Sequence, residues 1–462
     1  MNLIQELRDN ITLHRQPSDT HDFSADVVIK GIVSENLALS LLKGFSKLSS
    51  RWLFINTKPV DLRSKSPLLF GTCILAGLHV NLSLHGTQMH QTLYNHVHGL
   101  LGQSHLTSTP SLDTIQAMLI FSMWDLRPTR EHDHGNSWLF SGMAAMQVML
   151  TTTFDELSES DERNQARARE ILRTWNLICL CHLQFSIGSG RGPIIAPQYL
   201  DQCSKVLELP LYSSKDELVL AGIRLYRVLC DFASATSILG ETPIWPEIEK
   251  NAQITRAYIH FNSKILPLLT IVLDLDSSEP LRFAYSCTYL ILSRRTLQHM
   301  NTHEQEKQVL SKAPYEDQRA KEFIEFAIQK SLEVLRSFLA MSDLTICIHP
   351  AYENLLCSFA MVTLAEFVIH LTNIDETIVL LERVISHIQR GGKAEPVSRW
   401  ALIVIKQQVS GHEVESRATF RQTEDLGTHP FPSDEDALRP WEGSEWMMDF
   451  PSLEDMFFDS MI

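Results

Sequence analysis

Apolar positions recur at three- and four-residue intervals along most of this chain, and strand-like alternation is scarce. The longest such stretch is RNQARAREILRTWNLICLCHLQFSIGSGRGP, residues 163–193. No proline or glycine interrupts residues 162–187, so one long helix is predicted there. Its start is amphipathic, with Arg163, Arg167, Arg169 and Arg173 among polar neighbours. Its later part, residues 171–185, is apolar on most sides. A helix that apolar must be surrounded by other elements, which makes it the expected central rod of a helical domain. Trp175 and Leu180 are expected core residues of that rod. Gly188 is expected to end it in left-handed geometry, and Gly190-Arg191-Gly192-Pro193 to turn the chain away. Arg191 and Gly192 are counted with Trp175 and Leu180 as structural core positions, with Arg191 expected to meet a carboxylate of a neighbouring helix.

Further helices are predicted on both sides. Ser34 and Glu35 open one, with Ala38, Leu41, Leu42 and Phe45 at helical spacing. Ser66-Pro67 opens another, reaching to residue 83, although Gly71 and Gly77 lie inside it. A short helix fits residues 1–15. Beyond the rod, helices are predicted at 217–239, 256–273 (kinked or split by Pro267), 280–300, 315–341, 351–371, 377–390 and 397–409. No fixed-period repeat appears. The expectation is an all-α fold: an N-terminal segment (1–22), a single large helical domain (23–410) and a disordered linker and tail (411–462).

The tail changes the electrostatic picture. The chain of 462 residues has a formal net charge of -15. Residues 423–462 hold eleven acidic residues and one basic residue, Arg439, which is -10, and leaves about -5 for the rest. Between the tail's carboxylates stand Trp441, Trp446, Phe450, Leu453, Met456 and Phe457. Such a segment is expected to stay extended when free. When bound, Ser452 would cap a helix with Leu453, Met456 and Phe457 on one face, suited to a coactivator groove. Docking of the tail on its own helical domain is the alternative. An acidic chain with no basic stripe is not expected to bind nucleic acid directly.

Candidate chemistry is sparse. The eight cysteines are scattered and mostly inside apolar stretches, which suggests free thiols in a reducing compartment. No Cys-x-x-Cys pair occurs, and no apolar run approaches the ~18 residues that span a bilayer. The start of the chain shows no signal-peptide pattern, so an intracellular protein is expected. Gly188-Ser189-Gly190-Arg191-Gly192 follows a helix and lacks the Gly-Lys-Ser/Thr ending, so it reads as an interhelical turn and not a phosphate loop. His132-Asp133-His134 and Asp274-Leu275-Asp276 contain ligand types, but neither has the spacing of a metal motif. Arg163, Arg167, Arg169 and Arg173 are read as ion-pairing residues between helix faces, not as a DNA contact. No catalytic constellation is found, and the protein is expected not to be an enzyme.

Several short motifs share a source. Gly31-Ile32-Val33-Ser34, Trp52-Leu53-Phe54 and Ser66-Pro67-Leu68-Leu69-Phe70 come first. Ser111-Leu112 with Gln116-Ala117, then Trp138 with Gly142-Met143-Ala144, follow. Arg173-Thr174-Trp175 and Gly190-Arg191-Gly192-Pro193 close the series. In this order they resemble the middle regulatory region of fungal zinc-cluster (Zn2Cys6) transcription factors, in the branch of secreted-protease and weak-acid-response activators. Two positions depart from that pattern: Asn176 stands where a second Trp is usual, and Gly192 precedes the proline. The resemblance implies a nuclear transcription regulator, an activator of a metabolic or secondary-metabolite gene set. The family's six-cysteine zinc module has no counterpart, since no cysteine precedes Cys73. No zinc or other cofactor is therefore expected in this chain. Either the gene model is truncated or the regulator acts through a DNA-binding partner or a homodimer. An all-α metal- or cofactor-dependent biosynthetic enzyme and a helical scaffold remain the alternatives.

Overall fold

The computed structural model describes residues 25–407, apart from 50–52, 54, 56–58, 79–80, 105–109, 125, 129–136, 158–161, 242–278, 307–313, 342–349, 391–397 and 400. Among the described residues there is no strand. The helices are α1 (Glu35–Ser49), α2 (Pro59–Lys65), α3 (Pro67–Gly77), α4 (Gln88–Ser104), α5 (Leu112–Met123) and α6 (Ser137–Thr151). They continue with α7 (Glu162–Gly188), α8 (Ser214–Glu241), α9 (Glu279–Glu306), α10 (Pro314–Ala340), α11 (Ala351–Glu366) and α12 (Ile374–Arg390). A short helix, Pro197–Leu200, and a 3-10 segment, Asp201–Glu208, lie between α7 and α8.

Local chemistry sets several of these boundaries. The Ser66 hydroxyl accepts from the Leu69 amide at 3.2 Å, and Pro67 supplies a first helical residue that has no amide to leave unpaired. Ser111 caps α5 in the same way through the Thr114 amide, also at 3.2 Å. Helix α3 ends at Gly77, short of residue 83. Helix α11 stops at Glu366 and tightens into a 3-10 turn, Val368–His370, where a helix to residue 371 is predicted. Gly188 is still helical; the left-handed residue is Gly190, with φ 65°. The chain therefore leaves α7 two residues later than the glycine pattern suggests, because Ser189 still donates its amide to the Phe185 carbonyl at 2.9 Å.

Three helices act as hubs. Helix α3 packs against α1, α2, α4 and α5 and is buried from Leu69 to Gly77. Helix α7 packs against α5, α6, α8, Asp201–Glu208 and Phe154–Leu157. Helix α10 packs against α9, α11 and α12, and α8 meets α9. Helix α7 is thus the middle of three, joining the N-terminal helices through α5 to the C-terminal ones through α8. Its buried face and theirs belong to one cluster of apolar side chains running from Val27 to Ile405. Gly77 permits the closest approach in the first hub: a Cβ there would stand 2.2 Å from the Leu41 carbonyl oxygen of α1.

The segments 1–22 and 411–462 lie outside the described residues, and so does the helix predicted at 256–273. The same holds for His132, His134, Asp274, Asp276 and the side chain of Arg163.

Candidate functional site: the junctions of α7 and the adjoining cleft

The motif residues meet along α7. Trp175 is fully buried; its indole Nε1 donates to the Tyr199 carbonyl at 3.2 Å and its ring lies 5.2 Å from that of Phe154. Asn176 donates from Nδ2 to the Cys203 carbonyl at 3.0 Å. Both anchor the stretch after Pro197 on α7. Buried Gln116 of α5 donates to Glu170 at 3.2 Å and Thr174 at 3.3 Å. Ser122 at the end of α5 sits 3.3 Å from the Cys181 sulfur, whose thiol is pushed up to about 12 by burial despite that contact.

On the other side, α6 contributes the Trp138–Gly142 stretch. His182 is fully buried and 3.1 Å from the Ser141 hydroxyl through Nδ1. The Ile194 amide donates to its Nε2, also at 3.1 Å. An accepting Nε2 places the ring proton on Nδ1, where it is donated to Ser141. The Ser141 hydroxyl in turn donates to the carbonyls of Ser137 (2.8 Å) and Trp138 (3.0 Å). The ring is held neutral: burial lowers its pKa to about 4, against a smaller upward pull from the Trp138 backbone. Trp138 donates from Nε1 to Ser186 at 3.2 Å, and the Arg191 guanidinium lies 5.1 Å from its ring centroid. Arg191 thus stacks on an aromatic ring of α6 in a cation–π contact. Gly192 is exposed, and a Cβ there would meet open space. It is not a core position; Gly190 is the residue the turn needs.

The basic start of α7 faces α8. Arg173 grips Asp216 with two hydrogen bonds, Nε to Oδ1 at 2.8 Å and Nη2 to Oδ2 at 2.7 Å. Asp216 also accepts from the Ser213 amide and hydroxyl, at 2.7 and 2.9 Å. Burial works to raise this carboxyl, but the Arg173 and Ser213 hydrogen bonds outweigh it and hold it below the usual carboxylate range. Arg169 donates to the Pro210 carbonyl. The two arginines therefore fasten the turn that carries Leu211, a non-glycine residue at φ 63°.

Below this turn α7, α8, α9 and α11 leave a cleft of about 60 Å³. Leu180 and Gln184 of α7 form one wall, and Leu218, Val219, Gly222 and Tyr226 of α8 the next. Phe283 and Ala284 of α9 and Glu353 of α11 complete it. Leu180 is therefore buried, but as a cleft wall as well as a core residue. A second cavity of about 20 Å³ shares Leu180, Gln184 and Glu353 and is also lined by Tyr352. Tyr226 and Tyr352 meet edge to face at 5.8 Å, and burial raises both hydroxyls well above the usual tyrosine range. No local sequence signal marks this cleft, because its lining comes from four helices spread from Leu180 to Glu353.

Seven described cysteines, Cys73, Cys179, Cys181, Cys203, Cys230, Cys287 and Cys357, are buried thiols outside any disulfide. Among the described residues no three His, Cys, Asp or Glu side chains gather as metal ligands, and no helix is long and apolar enough to cross a membrane. An all-α domain organised by buried helix junctions, with a small apolar cleft, is what fold and site define. The chain belongs to the PRTT-like family, whose model describes the middle domain of the transcriptional activator of proteases prtT and matches residues 31–391.

Individual relatives agree. The chain is 29% identical over 236 residues to a transcriptional activator of proteases of Aspergillus fumigatus, covering 49% of this chain and 33% of that protein. With the protein of the same description from Aspergillus niger it is 28% identical over 242 residues, covering 51% and 38%. An uncharacterized transcriptional regulatory protein of Schizosaccharomyces pombe is 27% identical over 212 residues, covering 44% and 40%. The matched stretches thus make up little more than a third of these relatives. No solved structure matches the chain.

Proposed function

We propose that this protein is a fungal transcription regulator that acts as an activator, with a helical regulatory body and an acidic, aromatic activation tail. The observation that carries the reading is the agreement between the family span, residues 31–391, and the helices whose motif residues converge on α7. The relatives with informative names are activators of proteases, which supports a metabolic gene set as the target. The reading places the protein in the nucleus and gives it no enzymatic activity. Two of the basic residues of α7 that a DNA contact would use are engaged elsewhere, Arg173 with Asp216 and Arg169 with Pro210. DNA recognition is accordingly assigned to a partner protein or to a second module, and the chain itself needs no zinc. Residues 423–462 recruit a coactivator, their aromatics entering an apolar groove while the carboxylates meet basic residues at its rim.

The test is a reporter assay with the whole chain fused to an unrelated DNA-binding domain. Activation well above that domain alone is expected. A fusion that is expressed, nuclear and silent contradicts the proposal.

A further inference from the structure

We propose that the outer face of α6 is a seam for a second copy of this chain, whose own α6 runs antiparallel to it across a two-fold axis. On the reading above, such a pair would carry two activation tails; the pairing itself does not depend on that reading.

Helix α6 has two apolar faces. Ser141, Ala144, Ala145 and Val148 are buried on one, and the helix packs on α5 and α7. Leu139, Met143, Met146 and Leu150 lie on the other. At 3.6 residues per turn these four fall within about 60° of one another. Leu139 is 44% exposed, Met146 45% and Leu150 68%, with Met143 half-buried between them. Exposed Ile194 lies beside Gly142 and widens the stripe at one edge. Large apolar side chains gathered in this way mark an interaction surface, where single ones would not. Steps of four, three and four are also the spacing of a seam that another helix completes.

The same spacing selects the partner, because it reads alike in both directions. About a two-fold axis between Met143 and Met146, Leu139 of each chain meets Leu150 of the other, and Met143 meets Met146. One stripe therefore matches a copy of itself along its whole length. Charge points the same way. Neither α6 nor α4, whose His98 ring lies 6.5 Å from that of Phe140, contains a Lys, Arg, Asp or Glu. These helices offer no cation to the carboxylates of residues 423–462, whereas a second uncharged stripe meets them without repulsion.

Size sets the strength. Fifteen residues make a helix about 22 Å long and about 10 Å wide. Even with Ile194 and Phe140 at its edges, that face is well below the ~800 Å² that each partner of a stable dimer buries, so a weak, micromolar dimer is expected.

The experiment is sedimentation velocity of the purified full chain from about 1 to about 300 µM, a range that brackets a micromolar Kd. A reversible shift from monomer to dimer is expected. It should not weaken as salt rises to about 0.5 M, because screening relieves repulsion between two chains of net charge -15. Leu150→Glu and Met146→Glu, each checked for folding by circular dichroism, should weaken pairing at least tenfold. Adding Leu139→Lys to Leu150→Glu should restore it, since antiparallel copies then bring lysine to glutamate twice. A chain that stays monomeric overturns the proposal and leaves the stripe to the chain's own tail or to a different protein. A dimer indifferent to both glutamate variants, or dissolved by salt, overturns the seam, and failed restoration overturns the antiparallel register. None of these results bears on the reporter assay, and a silent reporter leaves the pairing untouched.

Discussion

His182 shows how one buried side chain makes stability depend on pH. Its folded form is neutral, with a pKa near 4, whereas an unfolded histidine titrates near 6.5. Above the unfolded value both states are neutral and the residue contributes no pH dependence. As pH falls from 6.5 towards 4, the unfolded chain takes up a proton that the folded chain refuses, so stability declines across that window. The shift corresponds to about 3 kcal/mol in all. Denaturant titrations between pH 7 and pH 4 should show this decline, and His182→Gln should flatten it even if that variant is less stable throughout. Asp216 and Asp26, the latter accepting from Arg63 Nε at 2.6 Å, act lower on the scale: despite burial, these hydrogen bonds hold both carboxyls below the usual range, so the stability they contribute is present above about pH 4 and lost as pH falls further. Trp175 has no titration, only burial and one hydrogen bond. Trp175→Ala should cost about 3–5 kcal/mol in denaturant unfolding, because the relaxed cavity keeps the Tyr199 carbonyl without its donor. An unchanged midpoint would remove Trp175 from the core.

At the scale of elements, the close crossing of α1 and α3 is the most sensitive contact. A methyl at Gly77 would stand 2.2 Å from a backbone oxygen, which no side-chain rotation can relieve. Gly77→Ala should therefore destabilise the chain by about 3 kcal/mol, although alanine is the better helix former. Gly222→Ala meets only the end of a leucine side chain and should be far milder, and unfolding of the two variants side by side checks this ranking. These glycines also show what the sequence could and could not reveal. Uninterrupted apolar spacing makes α7 legible from residue 162 to 187. Gly71 and Gly77 argue locally against the helix they sit in, since their reason is a neighbour outside it. The short α2 escaped because PVDLRSK has too few apolar positions to set a period. Arg191 and Gly192 looked alike within one turn, yet Arg191 covers Trp138 and Gly192 faces open space. The cleft was illegible for a different reason: its walls are four helices far apart in the chain.

For the whole molecule, charge separates two parts with different physics. The helical body is nearly neutral overall and closes its apolar faces into one cluster running from Val27 to Ile405. The last forty residues carry most of the net charge and keep large aromatics among carboxylates. On the proposal above, such a segment would gain too little burial by itself to offset the entropy of ordering, and would gain it on a coactivator. The proposal gives activation to this tail and scaffolding to the body. The most direct measurement fuses residues 423–462 alone to an unrelated DNA-binding domain and reads a reporter. The predicted result is activation that falls to near background when Trp446, Phe450 and Phe457 become alanine with every charge kept. A silent fusion, or activation indifferent to those three aromatics, would contradict it.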